Sequence, residues 1–355
     1  MTALSSRETS PRYKSNTALG IVGQLVRARE FFLISLIVVI AVALHLKTGH
    51  FITERNLTAI ALGFSPLAFM AVGMTAALVC GGFDLSVGSV FALGGVVTAV
   101  ALRDDMFGPA LPIGLAILAG VLAGVLAGMA NGLLITKVHI NPFITTLGMM
   151  SIARGAGYAI TEGSPIARLP REFFKLGQGE VLGVSNLIIL ALVVMAIGDI
   201  LMRRSAWFRQ IYYVGGNEDA ARLSGINVAL VKMGVFTLSG MLAALAGVLS
   251  VSRFTVADPG SGMGYELQVI AACIIGGASL NGGKGTVFGA LLGLVFVGFI
   301  NNGMVQLRVP VYWQNLAMGV ILLVAVGSDM LSQRLQARPR ARKTEESAAP
   351  GEPAA

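Results

Sequence analysis

The sequence predicts an all-α integral membrane protein with about ten transmembrane helices. Hydrophobic residues make up 55% of the 355 positions and charged residues only 12%. Mean hydropathy is +0.78, and the apolar residues gather in runs long enough to cross a bilayer. Soluble chains carry about 25% charge. This chain cannot clothe a globular surface with polar groups, which excludes a soluble enzyme and a disordered chain. The net charge of +8 and the pI of 9.8 do not indicate a nucleic-acid binder, because the charges lie between the apolar runs and at the two ends, as membrane topology requires.

A crossing helix needs about 20 mostly apolar residues. Ten candidates fall at 31–46, 57–80, 86–102, 107–135, 142–161, 181–202, 231–251, 265–279, 286–306 and 311–331. The first run follows 30 polar residues with no small-residue cleavage site behind it, so it reads as an uncleaved span. The transmembrane domain covers 26–334, and the polar stretches 1–25 and 335–355 are expected to be disordered cytoplasmic tails. With the N-terminus inside, the cytoplasmic side holds 17 Lys and Arg against 8 outside, and Arg154 lies within a span. Both termini are therefore expected in the cytoplasm, although the tails supply 10 of the 17. The 45 glycines suit helices that pack closely in lipid. Cys80 and Cys273 lie inside apolar runs and suggest neither a disulfide framework nor a zinc site.

Two segments echo each other 195 residues apart. Ala76-Ala77-Leu78-Val79-Cys80-Gly81-Gly82 leads to Phe83-Asp84-Leu85-Ser86, and Ala271-Ala272-Cys273-Ile274-Ile275-Gly276-Gly277 leads to Ala278-Ser279-Leu280-Asn281. In a ten-span topology both join an inward-running helix to an outward-running one. That arrangement suggests a parallel repeat with a glycine-interrupted segment near a pathway.

Polar residues inside apolar territory are the candidate functional groups. Asp84 has two readings: a cap on the third span, through backbone N–H groups at its start, or a group that meets substrate. Asn141-Pro142-Phe143 opens the fifth span, with Asn141 as N-cap and Pro142 at the first helical position. Arg154 and Glu266 are expected at matching depth in the outer half and are candidates for an ion pair. Asp84, Phe91, Asn141, Phe143, Arg154, Glu266 and Asn281 together are the candidates for a translocation pathway or gate.

The longest internal polar stretch, 203–230, is placed on the cytoplasmic side. In it Gly215-Gly216-Asn217 reads as a turn. Glu218, Asp219, Ala220, Ala221, Arg222 and Leu223 form a short helix, acids first and Arg last, which suits its dipole, and Ser224-Gly225 stops it. Ala220, Ala221 and Leu223 give the helix an apolar, close-packing side. Such a helix is either a docking knob or an ordinary amphipathic loop. Gly277 to Thr286 resembles a phosphate loop superficially, but Ala278 and Gly285 stand where the motif needs Gly and Ser or Thr. The three histidines, His45, His50 and His139, are scattered, and no catalytic triad pattern appears.

These motifs, in order, resemble the permease subunit of bacterial ABC importers for monosaccharides, the ribose, xylose, arabinose and galactofuranose branch. The resemblance covers about residues 55–330. It rests on Gly81-Gly82-Phe83-Asp84-Leu85-Ser86-Val87-Gly88, on Asn131-Gly132-Leu133, on Asn141 to Gly148, on Gly215 to Ile226 and on Ile275 to Thr286. It departs from the family at Phe83, where Ile is usual. The resemblance implies a non-enzymatic, ten-span subunit of the fold shared with vitamin B12-type (type II) importers, in the bacterial inner membrane. It also implies a second permease copy, a periplasmic sugar-binding protein and a cytoplasmic ATP-binding subunit that holds ATP and Mg, this chain holding no cofactor itself. Residues 215–226 would then couple to the ATPase. An ion-coupled secondary transporter of a small polar solute is the alternative; it would want more buried carboxylates than Asp84 supplies.

Overall fold

The structure is a computed structural model that describes residues 17–330 except 107, 315, 325, 328 and 329, with side chains from Glu30 onward. The elements run α1 (Thr17–Thr48), α2 (Glu54–Val79), α3 (Val87–Ala101), α4 (Ile113–Thr136), α5 (Pro142–Thr161), α6 (Arg171–Gln178), β1 (Glu180–Val181), β2 (Val184–Ser185), α7 (Asn186–Arg204), α8 (Ala206–Gly216), α9 (Glu218–Leu223), α10 (Val228–Phe254), α11 (Tyr265–Ile275) and α12 (Val287–Gln306). Residues 311–314 and 316–324 are also helical. The two strands form one antiparallel hairpin.

Each apolar run thus carries a helix, but not every helix has the length and apolarity of a crossing. Among the described residues six do: residues Glu30–Thr48 of α1, together with α2, α4, α7, α10 and α12. The ten-span expectation is met only to that extent. The reason is local. Glycines bound α11 on both sides: Gly264 at φ +82° opens it, and Gly276 closes it. Its 11 residues span about 16 Å, roughly half a hydrocarbon core. α3, with 15 residues, is also short. α5 has 20 residues, but Asn141, three threonines and Arg154 at or along it lower its hydropathy. The N-terminal expectation also shifts, because α1 begins at Thr17 inside the stretch read as tail; a helix once nucleated propagates cheaply through Ala, Leu and Val. Residues 1–16 and 335–355 lie outside the described residues.

α10 is the axis of the bundle and packs on α2, α3, α4 and α6. Its most apolar window is 72% buried, against 6% for α1, which lies at the periphery and packs mainly on α12. In lipid no hydrophobic drive brings helices together, so close backbone approach has to do it. α4 meets α10 where Gly124 faces Gly240, and α3 meets α10 where Gly247 sits against the Phe91 carbonyl. A methyl at either site would overlap backbone.

The connections gather at two ends. At one end are the α2–α3 hinge, the turn at 137–141, α8 with α9, and the α11–α12 loop; Gly283 N–H donates to the Val79 carbonyl at 2.8 Å, and Tyr212 Oη to the Gly285 carbonyl at 2.8 Å. At the other end Ile166 and Ala257 exchange two backbone hydrogen bonds of 2.9 Å, and Arg103 donates to the Ala167 carbonyl.

Replacing Gly247 with Ala should lower stability by about 1–3 kcal/mol through overpacking. Gly114→Ala, where nothing lies within 4 Å of the added methyl, should be neutral or slightly stabilising. Thermal unfolding of the purified chain in detergent compares the two.

Candidate functional site

The two echoed segments fold alike. α2 ends with Gly81 N–H on the Leu78 carbonyl and Gly82 N–H on the Ala77 carbonyl; α11 ends with Gly277 N–H on Ile274 and Ala278 N–H on Cys273. Gly81 at φ +85° and Gly277 at φ +109° occupy the left-handed position that ends each helix. The second helix runs one residue further into its Gly-Gly pair than the first. The hinges also touch, through the Gly283–Val79 hydrogen bond. Higher up, the Thr75 hydroxyl and the Cys273 thiol, both buried, lie 3.4 Å apart.

Asp84 is fully buried in the first hinge. Its Oδ1 accepts from Ser86 N–H at 2.9 Å and from Ser86 Oγ at 2.5 Å, and its Oδ2 accepts from Ser239 Oγ at 2.8 Å, on α10. It therefore closes a turn before α3 rather than capping the helix directly; Ser86 occupies the cap position and makes no side-chain cap bond. Asn131 of α4 donates to Ser86 Oγ at 3.1 Å. Thr146 of α5 donates to the Pro142 carbonyl and, at 3.4 Å, to the Phe83 carbonyl. One knot thus ties the hinge to α4, α5 and α10. Asn131 Oδ1 is buried and accepts no hydrogen bond among the described residues.

The other candidates are spread more widely. Asn141 caps α5, accepting from Phe143 N–H at 2.9 Å. Phe143, partly exposed, meets Phe83 edge-on at 6.0 Å, beside the knot. Phe91 is buried and meets Tyr265 at 5.4 Å. Asn281 lies in the α11–α12 loop, its N–H on Ser279 Oγ at 3.2 Å. The expected Arg154–Glu266 ion pair does not form. Arg154 Nη1 donates to the carbonyls of Pro259 at 2.5 Å and Ser261 at 2.7 Å. Glu266 turns back on its own helix start and accepts from Gly264 N–H at 3.2 Å. The 255–264 loop presents its carbonyls to the guanidinium, so backbone does what the carboxylate was expected to do.

The α9 segment folds as read, with two corrections. Asn217 caps it through Ala220 N–H at 2.9 Å, Ser224 closes it, and Gly225 at φ +83° ends it. Gly215 and Gly216 are not a turn: they finish α8, and the break falls at Asn217. Gly215 lies where α8 presses on the Val79 carbonyl and on Gly283, so close that a methyl would overlap both. The apolar side of α9 is also divided. Ala221 is buried, whereas Ala220 and Leu223 face outward, Leu223 at 90% exposure. Asp219 is exposed beside them. Glu218 pairs with Lys232 of α10 at 2.6 Å and with Arg222 at 3.1 Å. The Lys232 hydrogen bond, more than the nearby positive charges, holds the Glu218 carboxyl below the usual glutamate range. A lowered carboxyl pKa stabilises above the unfolded value, so this support is complete at neutral pH and fades only in acid, as pH falls through the shifted value. Beneath α9 a recess of about 430 Å³ is lined by His139, Asn141, Glu218, Arg222 and Lys232 among others.

Sequence reading missed Ser239, Lys232 and Tyr212, which join the hinges and α9 to the bundle. Ser239 is one of four hydroxyl side chains on the mostly apolar α10, with Thr237, Ser250 and Ser252, so nothing in the sequence singled it out.

The family model for the permease component of branched-chain amino acid transport systems matches residues 56–326. The chain is 40% identical to the ribose import permease protein RbsC of Escherichia coli K12, over 87% of this chain and 99% of that protein. It is 39% identical to the L-arabinose transport system permease protein AraH of the same strain, over 86% and 92%. With RbsC of Bacillus subtilis 168 it shares 42%, over 73% and 80%. No solved structure matches the chain. The chain belongs to this permease family; it is a multi-pass membrane protein and a transporter component.

Replacing Asp84 with Ala should destabilise the chain by about 1–3 kcal/mol for each serine donor left unpaired in the interior, and more than Ser239→Ala does. Detergent melting curves of the two variants would show the order; the reverse order would mean that the hinge does not depend on Asp84.

Proposed function

We propose that this member of the family is the membrane subunit of an ATP-driven importer of monosaccharides, with α9 as the element on which a separate ATP-binding subunit pulls. The observation that carries the reading is mechanical: α9 is stiffly joined to both glycine hinges. Gly215 wedges α8 between the end of α2 and the α11–α12 loop, Tyr212 bonds that loop, and Lys232 bonds Glu218 to α10. A force on α9 reaches the two places where the bundle is built to bend. The outward Leu223 and the capped, charge-anchored helix suit a partner's groove. The sugar class rests on the RbsC and AraH likeness, over most of both chains.

The finer picture accompanies this reading. The chain crosses the bacterial inner membrane ten times in a type II importer arrangement, with both termini and α9 in the cytoplasm. It pairs with a second permease copy, receives sugar from a periplasmic binding protein, and leaves ATP and Mg to its partner. Residues 215–223 and Gly225 carry coupling. Asp84, Phe91, Asn141, Phe143, Arg154, Glu266 and Asn281 belong to the pathway or its gates, Asp84 and Phe143 from the hinge side. ATP closes the paired ATPase domains, α9 follows, and the hinges pass the motion to the bundle. ATP biases the cycle only as far as it binds the two states differently.

Leu223→Asp should weaken association with the ATPase subunit at least tenfold, as loss of an interface hot spot does (about 2 kcal/mol or more), without changing the melting temperature of the permease alone. Copurification and melting report the two effects. Proteoliposomes holding the chain, its ATPase and the binding protein should concentrate labelled ribose or arabinose only with ATP on the ATPase side. Accumulation by the purified chain alone, or unchanged ATPase binding in the variant, would overturn the reading.

A further inference from the structure

The recess at the rim between α1 and α12 lies apart from the hinges and from α9, and its chemistry is distinct. It is open, about 530 Å³, and lined by Lys47, Thr48, His50, Gln306, Leu307 and Arg308. Three of these side chains are basic and none is acidic. Among the described residues no carboxylate pairs with Lys47, His50 or Arg308.

Its depth is set by two membrane-crossing helices that end together there. Lys47 is in the last turn of α1, and Arg308 comes two residues after α12. Leu44 packs on Gly303, and Phe51 meets Phe299 edge-on at 5.4 Å, so the two ends stay together. Close to these residues in the chain Leu46, Val305 and Val311 are exposed, and just past Arg308 come the exposed Tyr312 and Trp313, residue types that collect where hydrocarbon gives way to headgroups. Arg308 holds a left-handed backbone, φ +57°, after the end of α12, where glycine is the residue that fits without strain.

We propose that Lys47, His50 and Arg308 bind the phosphate of an anionic phospholipid, whose acyl chains lie along Leu46, Val305 and Val311. Basic recesses between transmembrane helices recognise acidic headgroups in this way. A lipid fits better than a soluble acidic protein. The recess belongs to the peripheral helix pair, α1 being almost wholly outside the core, and a soluble partner would leave the exposed Leu46, Val305 and Val311 uncovered. The inference is independent of which solute the chain carries.

The full-length chain, reconstituted in nanodiscs of phosphatidylcholine with a minor fraction of phosphatidylglycerol and released for native mass spectrometry, tests it. The wild-type chain should retain phosphatidylglycerol in preference to phosphatidylcholine. The K47Q/R308Q variant should lose that preference by roughly 30-fold, the effect of two interfacial cations, while K47R/R308K keeps it. An unchanged melting temperature in lipid-free detergent shows that the variants fold, and the milder H50Q should give a smaller loss. Equal retention by wild type and K47Q/R308Q would overturn the proposal. So would release of the lipid preference by millimolar inorganic phosphate, which would make this a free-anion site. So would intact lipid retention in K47Q/R308Q accompanied by lost cross-linking to the binding protein, which would make it a protein contact.

Discussion

A fully buried carboxyl group ties the break between α2 and α3 to the centre of this bundle. Leaving a buried polar group without a hydrogen bond costs about 1–3 kcal/mol, and an open helix break leaves backbone groups unpaired as well. Asp84 answers both demands. By accepting from Ser86 and Ser239 it gathers the broken stretch between α2 and α3 and ties it to the central helix α10. The membrane tolerates the break because the break is sealed from inside the protein. Its position therefore depends on α10 and α4 being where they are, and they in turn are held by glycine contacts that admit no added methyl.

The same economy recurs in the second hinge, which has no carboxylate. There the α11–α12 loop is closed by backbone: Ser279 N–H bonds the Lys284 carbonyl, and Gly283 N–H bonds Val79 of the first hinge. The two segments differ in chemistry while sharing a helix-ending geometry. The first is tied to the bundle through Asp84, the second through Tyr212 and the Gly283–Val79 bond. Gly215 of α8 touches both, at the Val79 carbonyl and at Gly283.

Much of this was legible in the residues. Apolar runs marked the long helices, because hydrocarbon admits few alternatives to helix, whereas α6 and α8 lie between those runs and carried no such mark. The Gly-Gly pairs marked both hinges, and the Asn217 and Gly225 punctuation marked α9, since caps and left-handed ends are local matters. What could not be read was pairing at long range. Arg154 and Glu266 were expected at matching depth with opposite sign, yet the 255–264 loop offered two carbonyls to the guanidinium, and no pattern in the chain announces where a loop's carbonyls will point. Asp84 finds Ser239 across 155 positions for the same reason. The length of α11 was misjudged because apolar composition continues past glycines that end the helix. The α8–α9 boundary shifted because Gly215-Gly216, turn-formers by habit, were needed for close approach and stayed helical.

The peripheral seat of α1 has a consequence for how the chain is made. About 240 residues separate the end of α1 from the start of α12, its main neighbour. At a synthesis rate of about 5–20 residues per second, the first helix waits roughly 12–50 seconds before that neighbour emerges from the ribosome. Through that interval it has to persist alone in lipid, which its nearly all-round apolar surface allows, and the assembly of the rim is left to the closing moments of biogenesis.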